Sequence, residues 1–236
     1  MAANVLIILQ ARTTSTRLPG KVLKEILGRP MMELQLERMR RAGRSDALIV
    51  ATSDRSSDDA IARLCSSLGV GCFRGSLEDV LDRYRQAAAQ YKARHIVRMT
   101  ADCPVAEPRV MDATIEQHLR QKNDYTCANT ESGWPKGLDV EVMRREILET
   151  AWREARMPEE REHVTSFIRQ HPEKFRLGHL TAPDNHSHQR WTVDTPEDFS
   201  FITRVYETLY PDNPRFDMKD ILQLISRCPE LSGINQ

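Results

Sequence analysis

Apolar positions follow two rhythms in the first half of the chain. NVLIILQ is a continuous apolar run with β-branched residues, which predicts a buried strand. MMELQLERMRRAG places Met32, Leu36 and Met39 at helical spacing, with Gly43 as terminator. ALIVATS predicts a second strand. In SDDAIARLCSSLG, Ile61, Leu64, Cys65 and Leu68 form one apolar face, and Gly69 follows as a C-cap. VGCFRG reads as a third strand. SLEDVLDRYRQAAAQY reads as a helix opened by a capping box of Ser76 and Asp79. HIVRMTADCP is a fourth strand ending in a turn. This alternation predicts βαβ units and a mainly parallel sheet, whose ligands bind beyond the carboxyl ends of the strands.

The second half is less regular. DYTCAN and GLDVEVM read as strands. REILETAWREAR and EEREHVTSFIRQHPEKF read as helices, the latter ending near Pro172. HQRWTVDTPEDFSFITRVYETLY predicts a strand, a turn at Asp194, Thr195 and Pro196, and a helix begun by that proline. DMKDILQLISRC is a final amphipathic helix. With no linker or composition break, residues 1–236 read as a single domain. The stretch of about 130–170 breaks the βαβ rhythm. It carries Trp134, Trp152, Met143 and Met157 among charged residues, a mixture that marks interfaces. It is expected to form an arm reaching towards a second copy, with Trp134 and Pro135 at a lid or tip.

Charge narrows the partners. Lys and Arg total 34 and Asp and Glu total 34, so there is no basic excess to bind nucleic acid. No apolar run is long enough to span a membrane, and NVLIIL lacks the features of a secretory leader. The five cysteines are scattered without a C-x-x-C, which argues against zinc and disulfides and for a reducing cytoplasm.

Two polar stretches fall at strand ends. The first, LQARTTSTRLPGK, brings Arg12, Arg17 and Lys21 together with Thr13, Thr14, Ser15 and Gly20. Permanent cations, neutral donors and an approachable backbone suit a polyphosphate. The loop is neither a Walker A loop nor a dinucleotide fingerprint. Residue types alone leave a solvated basic loop equally open. The second, TADCP, places Asp102 at a strand end, with Cys103 as a half-buried thiol beside it. Asp102 and Asp194 are candidates for Mg²⁺, which takes oxygen ligands and needs only one or two carboxylates. Each could instead cap a helix. Asp139 and Glu141 share one face of a strand, either to accept hydrogen bonds from sugar hydroxyls or to face solvent. His186 and His188 read as loop polarity, and Trp191 as core at the base of the Asp194 turn.

ARTTSTRLPGK, with LGRPMME beyond it, resembles the N-terminal signature of the sugar-acid cytidylyltransferases, the CMP-sialate and CMP-Kdo synthetase superfamily. It most resembles the spore-coat polysaccharide subgroup. VATSD, FRGSLEDVLDRY, RMTADCP, GLDVEVM, EREHVTSFI and RWTVDTPEDF continue the resemblance in order over nearly the whole chain. The resemblance implies a Rossmann-like, glycosyltransferase-A-type α/β fold with a mainly parallel sheet flanked by helices. It implies a dimerisation arm, with CTP and Mg²⁺ (or Mn²⁺) at the sheet's carboxyl edge.

Residue by residue, the resemblance implies that Arg12 and Lys21 hold the triphosphate and that Ser15 supplies a loop hydroxyl. Ala11, Arg17, Thr52 and Arg74 complete a nucleotide set. Asp102 and Asp194 bind the metal, and Arg12, Lys21 and Asp102 serve catalysis. His163 becomes a site or dimer-contact residue. Where the Kdo enzymes resemble GDEP, this chain has ADCP, so Cys103 replaces an acid. The implied enzyme is a cytoplasmic homodimer transferring CMP from CTP to a sugar acid. Alternatives are transfer to a sugar phosphate or polyol phosphate, a glycosyltransferase (although no Asp-x-Asp follows the central strand), and a non-catalytic nucleotide-binding protein.

Overall fold

The computed structural model describes residues 4–235. Strand β1 (Val5–Gln10) lies within a seven-stranded sheet. On one side it pairs in parallel with β4 (Ala47–Ser53), which pairs with β5 (Gly71–Gly75). On the other it pairs in parallel with β6 (His95–Thr100). Next come β8 (Val140–Arg144), β7 (Tyr125–Ala128) and β9 (Leu177–His179). Only β8 runs against the others, antiparallel to both β6 and β7. The carboxyl ends of β1, β4, β5, β6 and β7 therefore share one edge, and the start of β8 joins them there. A small hairpin of β2 (Glu25–Ile26) and β3 (Arg29–Pro30) stands apart.

Strand residues alternate between two buried layers, as the pleat requires. Ile7, Leu9, Val97 and Met99 pack in the layer that holds α1 (Met31–Met39), α2 (Asp59–Ser67), α4 (Pro108–Gln121), α8 (Pro196–Leu209) and α9 (Met218–Arg227). Leu6, Ile8, Ile49 and Ile96 face α3 (Val80–Gln90), α5 (Arg145–Glu154) and α7 (Ser166–Gln170). The expected mainly parallel α/β sheet flanked by helices is present.

Several local expectations are corrected. Helix α3 begins one turn late, at Val80: Asp79 is its N-cap, accepting from the Asp82 amide at 2.9 Å, while Ser76 caps the Asp79 amide. The single helix expected over EEREHVTSFIRQ is two short ones, α6 (Pro158–Glu162) and α7, broken where Val164 takes φ of 53°. HQRWTVD forms no strand. It crosses Gly137 and makes an isolated bridge between Lys136 and Arg190. A Cβ on Gly137, where φ is 109°, would lie 2.6 Å from the Trp191 carbonyl carbon, so only glycine permits the crossing. Asp194 thus ends a crossing segment rather than a strand.

In the stretch of about 130–170, Met143 and Trp134 are core residues. The Trp134 indole donates to the Leu180 carbonyl at 2.7 Å, so it is no lid tip. Trp152 is stacked under Arg85, and only Met157 stands out, at 62% exposure. Cys103 is buried rather than half-buried, and Trp191 is core, as its position predicts.

Helix α4, which the sequence reading leaves unassigned, has two polar residues among its buried positions. The Thr114 hydroxyl bonds back to the Val110 carbonyl at 2.7 Å. His118 meets Thr126 Oγ1 at 3.2 Å and His95 Nδ1 at 3.1 Å. Burial, then the neighbouring His95 and Arg144, push the His118 pKa down to about 4. The unfolded chain, titrating near 6.5, takes up this proton first, so stability is greatest above about pH 6.5 and falls as pH drops. The loss from His118 reaches about 3 kcal/mol below pH 4. Urea midpoints of wild type and His118→Gln should converge as pH falls from 7.5 to 4.5. Parallel pH profiles would show that His118 carries no such load.

Candidate active site

The loop after β1 is pinned from beneath. Asp58, wholly buried, accepts from the Thr13 amide at 2.8 Å and the Thr13 hydroxyl at 2.7 Å, and also from Ser53. Burial alone would raise its pKa, but these donors outweigh it and keep the carboxylate ionised. The Thr13 carbonyl then gathers the amides of Ser15 and Gly20, both at 2.9 Å. Gly20, at φ 69°, turns the chain into a short 3-10 turn that starts with Lys21.

Lys21 reaches back across the sheet edge. Its ammonium donates to the Val193 carbonyl at 2.7 Å and Asp194 Oδ1 at 3.0 Å, and lies 3.5 Å from Asp102 Oδ2. Main-chain bonds bring the two aspartates together: the Asp102 carbonyl accepts from the Val193 amide at 2.8 Å and the Thr192 hydroxyl at 3.2 Å. Arg17 at 3.3 Å and Arg190 at 3.1 Å approach Asp194 Oδ2. Partial burial would raise the Asp194 pKa, but Lys21 and Arg17 hold it below the usual carboxylate range. Asp198 fixes the turn, accepting from Arg190 Nε at 2.8 Å and the Asp194 amide at 2.9 Å. Its burial is likewise overcome by these partners, and its pKa falls to about 2.

A cavity of about 340 Å³ opens over this point, lined by Ala11, Arg12, Ser15, Arg17, Lys21, Asp102 and Asp194. Arg12 is exposed and pairs with Glu162 at 3.2 Å, a contact worth little in water. A second cavity, of about 550 Å³, adjoins the first and is lined by Lys136, Asp139, Glu141 and Arg169 among others. Arg98, Thr100, Asp102, His163 and Asp194 line both.

Thr52 and Arg74 are not brought to this place. Thr52 is fully buried in β4, with its hydroxyl unpartnered. Arg74 turns along the sheet edge to the Ser53 and Arg55 carbonyls and pairs with Asp59 at 2.7 Å. Glu141 is present but already engaged. It accepts from Arg98, from the Tyr125 hydroxyl at 2.6 Å and from the Thr165 hydroxyl at 2.6 Å. Burial would raise its pKa, and Arg98 with the two hydroxyls lowers it instead. Asp139 accepts the Gly137 amide at 2.8 Å, and burial, together with Glu141 and Asp102, raises its pKa. The Cys103 thiol is pushed well up by burial, then by Asp102 and Asp139, so it is no nucleophile.

The profile of the cytidylyltransferase family matches residues 6–222. The chain belongs to the cytidylyltransferase family. An uncharacterized protein of Methanocaldococcus jannaschii is 36% identical over 230 residues, 97% of this chain and 93% of that protein. The spore coat polysaccharide biosynthesis protein SpsF of Bacillus subtilis is 34% identical over 234 residues, 96% of each chain. A cytidylyltransferase structure from Leptospira borgpetersenii superposes with a TM-score of 0.94 at 28% identity, covering 99% of this chain and 98% of that one. The protein is thus a CTP-dependent nucleotidyltransferase.

The cavities of this cytidylyltransferase are built with residues that their local sequence does not single out. Asp58 lies in a run of Ser and Asp that reads as an ordinary helix start. Arg98 looks like a solvent-facing strand residue, yet its guanidinium sits between the two cavities with Nε unpartnered. Its one signal is a charge between the apolar Val97 and Met99. The backbone at Val164 is a costly left-handed conformation for a buried β-branched residue, on the order of 1–3 kcal/mol.

Lys21→Ala should lower kcat/KM about 10- to 150-fold, the worth of one charge-assisted bond. Arg74→Ala should change it less than about threefold, since its ion pair is a half-exposed structural contact. Steady-state kinetics with the melting temperature as a folding control test both. Equal losses would place Arg74 on the nucleotide.

Proposed function

We propose that this cytidylyltransferase moves CMP from CTP to a hydroxyl of a sugar acid, releasing pyrophosphate, in the cytoplasm where CTP is supplied. The observation that carries this reading is the second cavity. Lys136 and Arg169 line it without a side-chain ion pair among the described residues. The same cavity is lined by Asp139, with acceptor capacity to spare, and by the Asp102–Asp194 junction. Two unpaired cations suit a carboxylate, and a carboxylate acceptor suits hydroxyls. The resemblance of the ordered motifs to sugar-acid enzymes points the same way.

In this reading CTP lies in the first cavity, with its phosphates spread over Arg12, Ser15, Arg17 and Lys21. The acceptor enters the second, so its hydroxyl meets the α-phosphate at the shared wall. Arg98, fixed by Glu141, adds a permanent positive charge there. Asp102 and Asp194 suit Mg²⁺, or Mn²⁺ in its place: they converge on one cation already, the Lys21 ammonium, and offer only oxygen donors. Among the described residues no group of three or more His, Cys, Asp or Glu converges as a metal cage, so phosphate oxygens and water would complete the shell. When bound, the ion supplies charge neutralisation at the transferring phosphate.

A pyrophosphate-release panel of nucleotides against sugar acids, sugar phosphates and polyol phosphates tests the reading. CTP with a sugar acid should turn over, and ATP or GTP should not. Preference for a phosphorylated acceptor would overturn the sugar-acid assignment. In the same assay EDTA should abolish turnover and Mg²⁺ restore it. Asp102→Asn should cost on the order of a thousandfold in rate, and Asp194→Asn less if water fills the vacancy. Normal turnover of Asp102→Asn in excess Mg²⁺ would make Asp102 a mere turn residue.

The protein is further read as a homodimer, with the exposed Met157 and the adjoining α6 as the contact. Light scattering at micromolar concentration should give twice the chain mass; a monomer mass removes the dimer from the account.

A further inference from the structure

Five residues line both cavities, so the reacting atoms must meet among them. Four have visible commitments. Asp102 and Asp194 face the Lys21 ammonium, Thr100 is paired with the Cys103 thiol at 3.5 Å, and Arg98 is a cation bound to Glu141. The fifth, His163, is exposed, and its ring makes no hydrogen bond to any described residue. Its main chain is held firmly. The His163 amide donates to Glu159 at 2.9 Å, the next residue is the left-handed, buried Val164, and Thr165 anchors to Glu141. Without the break at Val164, α6 and α7 would run on as one helix. The turn instead sets His163 at the junction, among Glu162, Arg98, Asp102 and Asp194.

We propose that His163 is the general base of the transfer. The reaction needs one: as the acceptor oxygen bonds to the α-phosphorus of CTP, the bond from that phosphorus to the oxygen leading to the β-phosphorus breaks. Pyrophosphate leaves with the electron pair. The hydroxyl proton passes to a free ring nitrogen of His163 and from there to solvent. Imidazole is the neutral side chain suited to this exchange. The two shared carboxylates are already tied to cations, which leaves them poor proton acceptors. The strained turn is explained as the cost of holding one imidazole at a fixed point between two substrates.

The inference rests on transfer to a hydroxyl, as proposed above. Its test uses whichever acceptor the wild type turns over, so a wrong sugar class leaves it standing, and an idle His163 leaves the sugar class standing. At saturating CTP and acceptor, His163→Ala should lower kcat about 10²- to 10⁴-fold. CTP affinity by calorimetry should stay within about threefold of wild type, because the triphosphate contacts are elsewhere. Added imidazole should restore turnover to His163→Ala, and His163→Gln, which hydrogen-bonds but takes no proton, should be as slow as the alanine variant. Near-wild-type kcat in either variant overturns the proposal. So does a loss matched by an equal fall in CTP affinity, which would make His163 a binding or structural residue.

Discussion

The Lys21 ammonium holds the site together. A single cation reaches the Val193 carbonyl and both aspartates, tying the loop after β1 to the segment that leads into α8. Without it, Asp102 and Asp194 would lose the one cation that faces both of them, and the repulsion between the two carboxylates would be less offset. The contact is largely shielded, with 12% of the Lys21 side chain exposed, so it is screened less than the Arg12–Glu162 pair on the rim. Everything that makes the first cavity cationic is placed relative to this point.

A second constraint sits one strand away. Because β8 runs antiparallel to β6, Glu141 falls directly opposite Arg98 in the register. A carboxylate and a guanidinium are thereby buried together, with Tyr125 and Thr165 filling the remaining acceptor positions. A buried pair of this kind contributes little net stability, but removing one partner strands a charge. Its evident use is positional. It fixes a charged group at the wall between two cavities and, through Thr165, anchors the α6–α7 turn that carries His163.

In the proposed reading, the two cavities divide the labour that nucleotidyl transfer requires. One is rich in cations and hydroxyls on a backbone turn, suited to a triphosphate. The other mixes unpaired cations with a carboxylate, suited to a polar acceptor bearing a negative charge. Their shared wall is where that reading has the substrates meet, which favours proximity and orientation over any single strong contact.

The amino-acid sequence by itself determined the βαβ rhythm and the strand-end position of the basic loop. Those signals are local: apolar period, capping residues and clustered charge within a few positions. It did not reveal the fate of Asp58 or Arg98, nor the full engagement of Glu141. The resemblance assigned Thr52 and Arg74 to a nucleotide, whereas the fold buries Thr52 within β4 and turns Arg74 along the sheet edge to main-chain carbonyls. A polar residue's function depends on what lies across the sheet from it, and that partner is often tens of positions away. In helix α4 the Thr114 hydroxyl turns back to its own helix, while His118 meets Thr126 of β7, a partner that no periodicity records. Only the tertiary structure decided that β8 reverses, that Val164 breaks a helix, and that Asp194 meets Asp102. Each is settled by long-range packing and by hydrogen bonds between distant segments, which local propensity does not encode.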